Sequence, residues 1–232
     1  MIAPEKCFDL VHVGKCGGST IVEELRARGF QFEHVHMRRP VGEAARRYVV
    51  LVRDPVARFV SAFNWRKHLL GNDQLPAARQ TDPMARLRHA AELEFLSHFA
   101  DVNAFAERLV QPQEYDVSPM LTLMALIGHV PQGFEWYLGH LLGRIQPSQL
   151  LGVICTERLA DDCEVVFGFR PTVERNRLSG APPAALSPAG KANLAREFES
   201  EYRTLRRLAD LARRAGVPMS MRYDPARGAV PA

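Results

Sequence analysis

The sequence contains few cysteines and no long hydrophobic run. Its 232 residues include 4 cysteines, at positions 7, 16, 155 and 163, with no CxxC pair and no spacing typical of a zinc site. We therefore expect reduced thiols in a cytoplasmic protein. The N-terminus lacks the apolar core of a signal peptide, and the apolar run from Met120 to Ile127 is too short to cross a bilayer. The sequence thus predicts a chain without a membrane span.

The sequence also lacks a strong excess of either positive or negative charge. The formal net charge is only +4, and the arginines are dispersed along the chain. This balance argues against a nucleic-acid scaffold and favours an anionic ligand. With 47% hydrophobic and 24% charged residues, the composition is that of a folded soluble protein. The length suits one sizeable domain, and no internal repeat is visible.

Short β-rich runs alternate with amphipathic segments. Strands are predicted at 8–13, 30–37, 48–52 and 150–155. Helices are predicted from Ser19 or Thr20 to near Gly29, and at 41–47, 55–70, 84–110 (two, the second capped by Asp101), 157–167 and 187–216. Strands alternating with helices predict an α/β fold with a mainly parallel sheet covered on both faces. Residues 224–232 are expected to be a frayed tail.

A basic, glycine-rich turn links the first strand to the first helix. It is the sequence V-G-K-C-G-G-S-T at residues 13–20. Glycines allow close approach of a ligand to the chain, and a helix N-terminus preceded by Lys15 attracts phosphate or sulfate. The Walker pattern of nucleotide triphosphatases is not met, because Lys15 stands before Cys16-Gly17-Gly18 instead of before the last hydroxyl residue. An ordinary strand-to-helix turn is the alternative.

Polar side chains are expected together at the carboxyl ends of three strands. In a parallel sheet ligands bind at these ends, where Lys15, His36 and Arg53 would lie. Ser61 follows Arg53 by two turns of the next predicted helix, so both could face one anion, and a guanidinium fork suits phosphate. In the alternative, Arg53 pairs with Asp54 or caps carbonyls, and Ser61 is a packing residue.

Two of these segments together resemble known cofactor motifs. The stretches His12–Thr20 and Arg53–Phe63 resemble the two motifs of sulfotransferases that use 3′-phosphoadenosine 5′-phosphosulfate (PAPS), and they are closest to the carbohydrate branch with the heparan 2-O- and chondroitin-type enzymes. The resemblance continues more weakly at 131–132, 156–159 and 175–177. It implies one three-layer, P-loop-like domain over 1–232, in which residues 71–140 form a mostly helical insertion on the acceptor side.

The resemblance also implies ligand contacts. Lys15 and the backbone of Cys16, Gly17, Gly18, Ser19 and Thr20 would hold the 5′-phosphosulfate. The 3′-phosphate would be held by Arg53 and Ser61. A loop carrying Arg175 and Arg177 would close over the nucleotide.

The pair His34 and His36 resembles the H-x-H pair that supplies the catalytic base in the heparan 2-O-type enzymes. Alternation puts both on one strand face, and we expect His36 to be the base. Two other interpretations stay open: half of a zinc site, for which no third ligand is evident from spacing, and a structural pair. Glu33 and Glu157 are reserve candidates for the base. The remaining histidines are expected to be structural or surface groups (12, 68, 89, 98, 129 and 140).

The function expected from this resemblance is sulfuryl transfer to a hydroxyl acceptor, a sugar or glycoconjugate. Basic side chains can stabilise the leaving phosphate without a metal, so no divalent ion and no nucleic-acid partner are expected. The alternatives are a small-molecule kinase, whose Walker lysine is missing, and an inactive sulfotransferase-like module that binds nucleotide.

Overall fold

The computed structural model describes residues 1–71, 82–109, 124–172 and 185–232. Four strands form one parallel sheet: β1 (Phe8–His12), β2 (Phe32–Val35), β3 (Tyr48–Val52) and β4 (Leu150–Cys155). Their order across the sheet is β2-β1-β3-β4. All residues of β1 and β3 are buried, as expected of strands covered on both faces. The α/β class and the parallel sheet are therefore confirmed.

The described part of the chain also contains eight α-helices. They are α1 (Gly18–Ala27), α2 (Pro55–Gly71), α3 (Pro83–Ser97), α4 (Val102–Arg108), α5 (Phe134–Leu138), α6 (Leu159–Phe167), α7 (Pro188–Glu197) and α8 (Glu199–Ala215). Short 3₁₀ turns occupy Leu141–Gly143, Pro147–Gln149 and Thr156–Arg158. None of the described helices is long and apolar enough to cross a membrane.

The chain packs into two compact units. The first consists of Met1–Arg58, Gln132–Arg177 and Phe198–Ala232, and it contains the parallel sheet. The second consists of Phe59–Pro131 and Leu178–Glu197, and its described part is helical. The single domain over 1–232 and the acceptor-side role of residues 71–140 stay predictions.

The core of the second unit contains packed aromatic rings and a buried ion pair. Five phenylalanines pack with ring centroids 5.1–6.1 Å apart (Phe59, Phe63, Phe95, Phe99 and Phe105). Arg66 donates to the two carboxylate oxygens of Glu92 at 2.7 and 2.5 Å, and Nη2 lies 2.8 Å from His89 Nδ1. His89 is therefore a structural histidine, as the sequence predicts.

Two predicted helices differ in the structure. Residues 41–47 are not helical, because the Gln149 side chain donates to the carbonyls of Glu43 (2.7 Å) and Arg46 (3.0 Å) and holds the segment as a loop. The single long helix predicted from Ser187 to Gly216 is wrong. It is two helices, α7 and α8, interrupted at the buried Phe198 (φ −94°, ψ 17°), and they belong to different units.

The C-terminal residues expected to be frayed are ordered. β5 (Met221–Asp224) and β6 (Gly228–Pro231) form an antiparallel hairpin. Tyr223 is buried, and its hydroxyl donates to Glu157 at 2.8 Å. A buried aromatic ring with a satisfied hydroxyl fixes a segment whose composition alone suggests disorder.

Asp54 links three elements of the first unit. Its Oδ1 accepts from the Ala57 N–H at 2.9 Å and caps α2, as the sequence predicts. Its Oδ2 accepts from the Tyr202 hydroxyl of α8 at 2.9 Å, and its own N–H donates to Glu157 at 2.8 Å. Because Asp54 directly follows Arg53, these bonds also fix the end of β3 at the rim of the sheet.

We expect Asp54→Ala to lower the free energy of unfolding by about 2–4 kcal/mol, since it removes a helix cap and leaves the buried Tyr202 hydroxyl without its acceptor. Urea unfolding measures the change. Asp101→Ala is the matched control, because Asp101 caps α4 through the Ala104 N–H at 2.8 Å. That loss should be about 1 kcal/mol. Equal losses in both variants would contradict a structural role of Asp54 beyond capping.

Candidate functional site

The basic turn after β1 is tight and contains backbone conformations that disfavour side chains. Lys15 has φ 70° and Gly17 has φ 73°, both in the left-handed region. For a lysine this costs about 1–2 kcal/mol, and such strain concentrates at ligand-binding sites. The Cys16 N–H donates to the Val13 carbonyl at 3.3 Å, so the turn uses that amide internally. Donors for an anion therefore come from the first turn of α1, which starts at Gly18 and not at a Ser19 or Thr20 cap.

Arg53 reaches this turn from the neighbouring strand. β1 and β3 pair in parallel, with His12 beside Leu51, so their carboxyl ends meet. The Arg53 Nη1 donates to the Lys15 carbonyl at 3.1 Å. This is the carbonyl contact that the sequence left open as an alternative. A guanidinium has five N–H donors, so one such bond orients Arg53 and leaves donors for a ligand.

Cys16 is a buried packing residue of this turn, and its thiol is not reactive. It is fully buried, and its Sγ lies 3.9 Å from the Gly14 carbonyl. Burial raises the pKa of this thiol to about 12. A protonated, enclosed thiol is neither a nucleophile nor a metal ligand at neutral pH.

The other predicted nucleotide contacts are those of Ser61, Arg175 and Arg177. Ser61 lies on α2 within the second unit, where it is half-buried. Arg175 and Arg177 fall outside the described residues. Their contacts with a nucleotide stay predictions.

Three histidines converge at the end of β1. His34 and His36 do share one face, with parallel rings 5.6 Å apart. His12 stacks on His36 at 4.2 Å between ring centroids and on His34 at 5.2 Å. The His12 Nδ1 lies 3.0 Å from the His34 Nε2, and the His36 Nδ1 lies 2.9 Å from the His12 carbonyl oxygen. His12, His34 and His36 together form the histidine cluster.

His12 is the member that the sequence analysis missed. Strand pairing explains its position: Leu10 lies beside His34, so two residues further along, His12 falls beside His36 on the same face. His12 is 22 residues before His34, and nothing in that spacing reveals the contact. The sequence shows only that residues 10 and 12 of β1 face the same side of the sheet, because side chains alternate along a strand.

The His12 ring also packs directly on the start of α1. A β-carbon added to Gly18 would lie 2.1–2.2 Å from atoms of this ring, closer than any two such atoms can come. Gly18 is thus required by the histidine cluster as well as by the turn. One contact places the basic turn and the imidazoles on the same rim of the sheet.

The hydrogen bonds fix the protonation pattern of the cluster. A carbonyl accepts only, so His36 carries hydrogen on Nδ1 and presents Nε2 as the basic nitrogen in its neutral form. Burial lowers the pKa of His34 below its ordinary value of 6.5. Repulsion by the His36 ring when it is protonated, and by the charges of Arg26 and Arg38, lowers this pKa further. His34 is therefore neutral at pH 7, and its contact with His12 is a bond between a donor nitrogen and an acceptor nitrogen.

An open cleft gives solvent access to the cluster. Its volume is about 650 Å³, and one wall is the face of α1. Besides the three histidines, the cleft is lined by Ser19, Val22, Glu23 and Arg26. The wall therefore combines a hydroxyl, a carboxylate and a guanidinium with the apolar Val22, a mixed lining that can hydrogen-bond a polar molecule.

The two carboxylates held in reserve as bases are used elsewhere. Glu33 is exposed on the strand face opposite His34 and forms an ion pair with Arg38. Glu157 accepts from the Asp54 N–H and from the Tyr223 hydroxyl, each at 2.8 Å. Both contacts give these carboxylates structural roles.

Comparison with known proteins does not assign the chain to a family. No model of a known protein family matches the chain, and no curated protein matches it in sequence.

We expect Gly18→Ala to displace the His12 ring, because the added methyl would occupy the position of the ring. The shifts of the imidazole nitrogens of all three clustered histidines should then change in a ¹⁵N NMR spectrum. Gly143→Ala is the matched control, since a β-carbon at Gly143 meets nothing within 4 Å. Unchanged imidazole signals in Gly18→Ala would contradict the packing of His12 on α1.

Thiol labelling tests the environment of the basic turn. Cys7 is exposed, whereas burial raises the pKa of Cys16 and Cys163 to about 12 and that of Cys155 to about 11. In native protein we expect one thiol to react quickly with Ellman's reagent, and the other three to react only in urea. Cys7→Ser should abolish the fast reaction. A fast thiol in that variant would show that the turn is more open than described.

Proposed function

We propose that this protein is a sulfotransferase that uses PAPS and transfers the sulfuryl group to a hydroxyl of a hydrophilic acceptor, a sugar or glycoconjugate. The observation that carries the proposal is the convergence of an anion-binding turn and a basic imidazole at the end of one strand. Lys15 and the start of α1 follow β1, and the His12 ring links them to His36.

The turn supports binding of the donor. The Arg53 guanidinium donates to the backbone carbonyl of Lys15 shortly before the N-terminus of α1, where the helix dipole also favours negative charge. Charge develops on the leaving phosphate during the proposed transfer, and cationic groups at the turn would stabilise it. The backbone strain at Lys15 is consistent with a turn shaped around a ligand.

The histidine cluster supports activation of the acceptor. As the acceptor hydroxyl oxygen attacks sulfur, its proton passes to Nε2 of His36. An O–S bond forms to the acceptor, the S–O bond to the 5′-phosphate breaks, and adenosine 3′,5′-bisphosphate leaves with the electron pair. The bond from His36 Nδ1 to the His12 carbonyl orients the base, as an effective general base requires.

Nucleotide binding is the most direct test. Adenosine 3′,5′-bisphosphate should bind in a calorimeter at micromolar concentration, and Lys15→Ala and Arg53→Ala should each weaken binding by about tenfold or more, the loss of one charge-assisted contact. Arg213→Ala is the matched control, since the Arg213 side chain is 78% exposed and forms an ion pair with Asp210 of the same helix. Binding of ATP with no binding of the bisphosphate would favour a kinase and overturn the proposal.

Turnover with a sulfate-labelled donor and a panel of hydroxylated acceptors tests the catalytic part. His36→Ala should abolish transfer while leaving bisphosphate binding within about twofold, because the imidazole acts on the acceptor. His98→Ala, a change at an exposed histidine, should leave the rate unchanged. Nucleotide binding without transfer to any acceptor would instead identify an inactive binding module.

A further inference from the structure

The cluster of His12, His34 and His36 has the donor set of a transition-metal site. One ring nitrogen from each residue lies within 4.8 Å of the other two, and the three come from the ends of two adjacent strands. The sequence offered only two of these ligands, and the third becomes visible only through strand pairing. Imidazole nitrogens suit zinc, copper and nickel ions. Three histidines leaving one position open to water is a known zinc arrangement.

The distances are close to those a bound ion needs. Zinc binds imidazole nitrogen at about 2.0–2.1 Å in tetrahedral geometry, which puts two ligand nitrogens roughly 3.4 Å apart. The His12 Nδ1 and His34 Nε2 are already 3.0 Å apart. Small ring rotations would bring His36 into the same coordination shell.

The surroundings of the rings resemble those of metal ligands. A ligating histidine usually donates its second ring N–H to a carbonyl or carboxylate, and His36 does so to the His12 carbonyl at 2.9 Å. His36 would then offer Nε2. The cleft gives an ion a path from solvent, and its wall includes the Glu23 carboxylate.

We propose that His12, His34 and His36 bind one divalent transition-metal ion of the zinc type. The ion takes the place of the proton now shared between His12 Nδ1 and His34 Nε2. The ring that carried this proton carries it on its other nitrogen instead. Water completes the coordination.

This inference is independent of the proposed transfer reaction. If the protein both binds this metal ion and catalyses the proposed transfer, the ion and the acceptor proton compete for Nε2 of His36. Bound metal then inhibits transfer, and a chelator restores it.

Titration of the chelator-treated full chain with Co²⁺ tests the site, because visible absorption reports nitrogen ligation of this ion. We expect one Co²⁺ per chain, displaced by Zn²⁺. His34→Gln and His36→Gln should each weaken binding at least tenfold, and His98→Gln, at an exposed histidine, should leave it unchanged. Far-UV circular dichroism checks that each variant is folded.

The outcomes separate this inference from the proposed function. No Co²⁺ spectrum in the unmodified chain, or equal affinity in the folded His34 and His36 variants, overturns the metal site. Both results leave the bisphosphate measurement unaffected. Metal binding without bisphosphate binding supports the metal site and removes the sulfotransferase proposal.

Discussion

The contact between the His12 ring and Gly18 is the constraint on which the candidate site depends. It exists because β1 ends at His12 and the chain turns back within five residues to start α1 over that end. Left-handed conformations at Lys15 and Gly17 allow so short a turn. A side chain at residue 18 would push the ring away from α1 and separate the imidazoles from the basic turn. The basic turn and the imidazoles are therefore held next to each other by one close approach.

Much of the fold follows from local sequence. The β-rich runs at 8–13, 48–52 and 150–155 predict strands because these three neighbouring strands are joined by two buried pairings, which favour apolar, β-branched residues. Asp54 and Asp101 predict helix starts because their carboxylates satisfy amides that no helix can satisfy itself. These signals lie within a few residues of the structure they specify.

The predictions that failed depend on contacts between residues distant in sequence. The loop at 41–47 has helix-forming residues, but its carbonyls are taken by Gln149, over a hundred residues later. The chain from 187 to 216 has a nearly continuous helical pattern, yet its two parts belong to different compact units. The last residues are ordered because Tyr223 meets Glu157 in the interior. Tertiary contacts override local preference in each case.

In the candidate site too, some residues are predictable from local sequence and others depend on contacts between distant residues. Lys15 and Arg53 are predictable because each lies within three residues of the end of a strand, and parallel strands present their carboxyl ends at one rim. The pairing of His34 with His36 follows from alternation alone. His12 is different, because its partnership requires the register between β1 and β2, and a shift of one residue would turn it to the other face of the sheet.

The electrostatic setting explains why one cluster suits two kinds of chemistry. Burial and the nearby charges of Arg26 and Arg38 favour an uncharged His34, because a proton added there would sit among positive groups. A neutral imidazole offers a lone pair either to a proton or to a metal ion. Burial and these positive groups thus keep the His34 lone pair unprotonated at pH 7. The cluster can serve a base or an ion, but Nε2 of His36 cannot serve both at once.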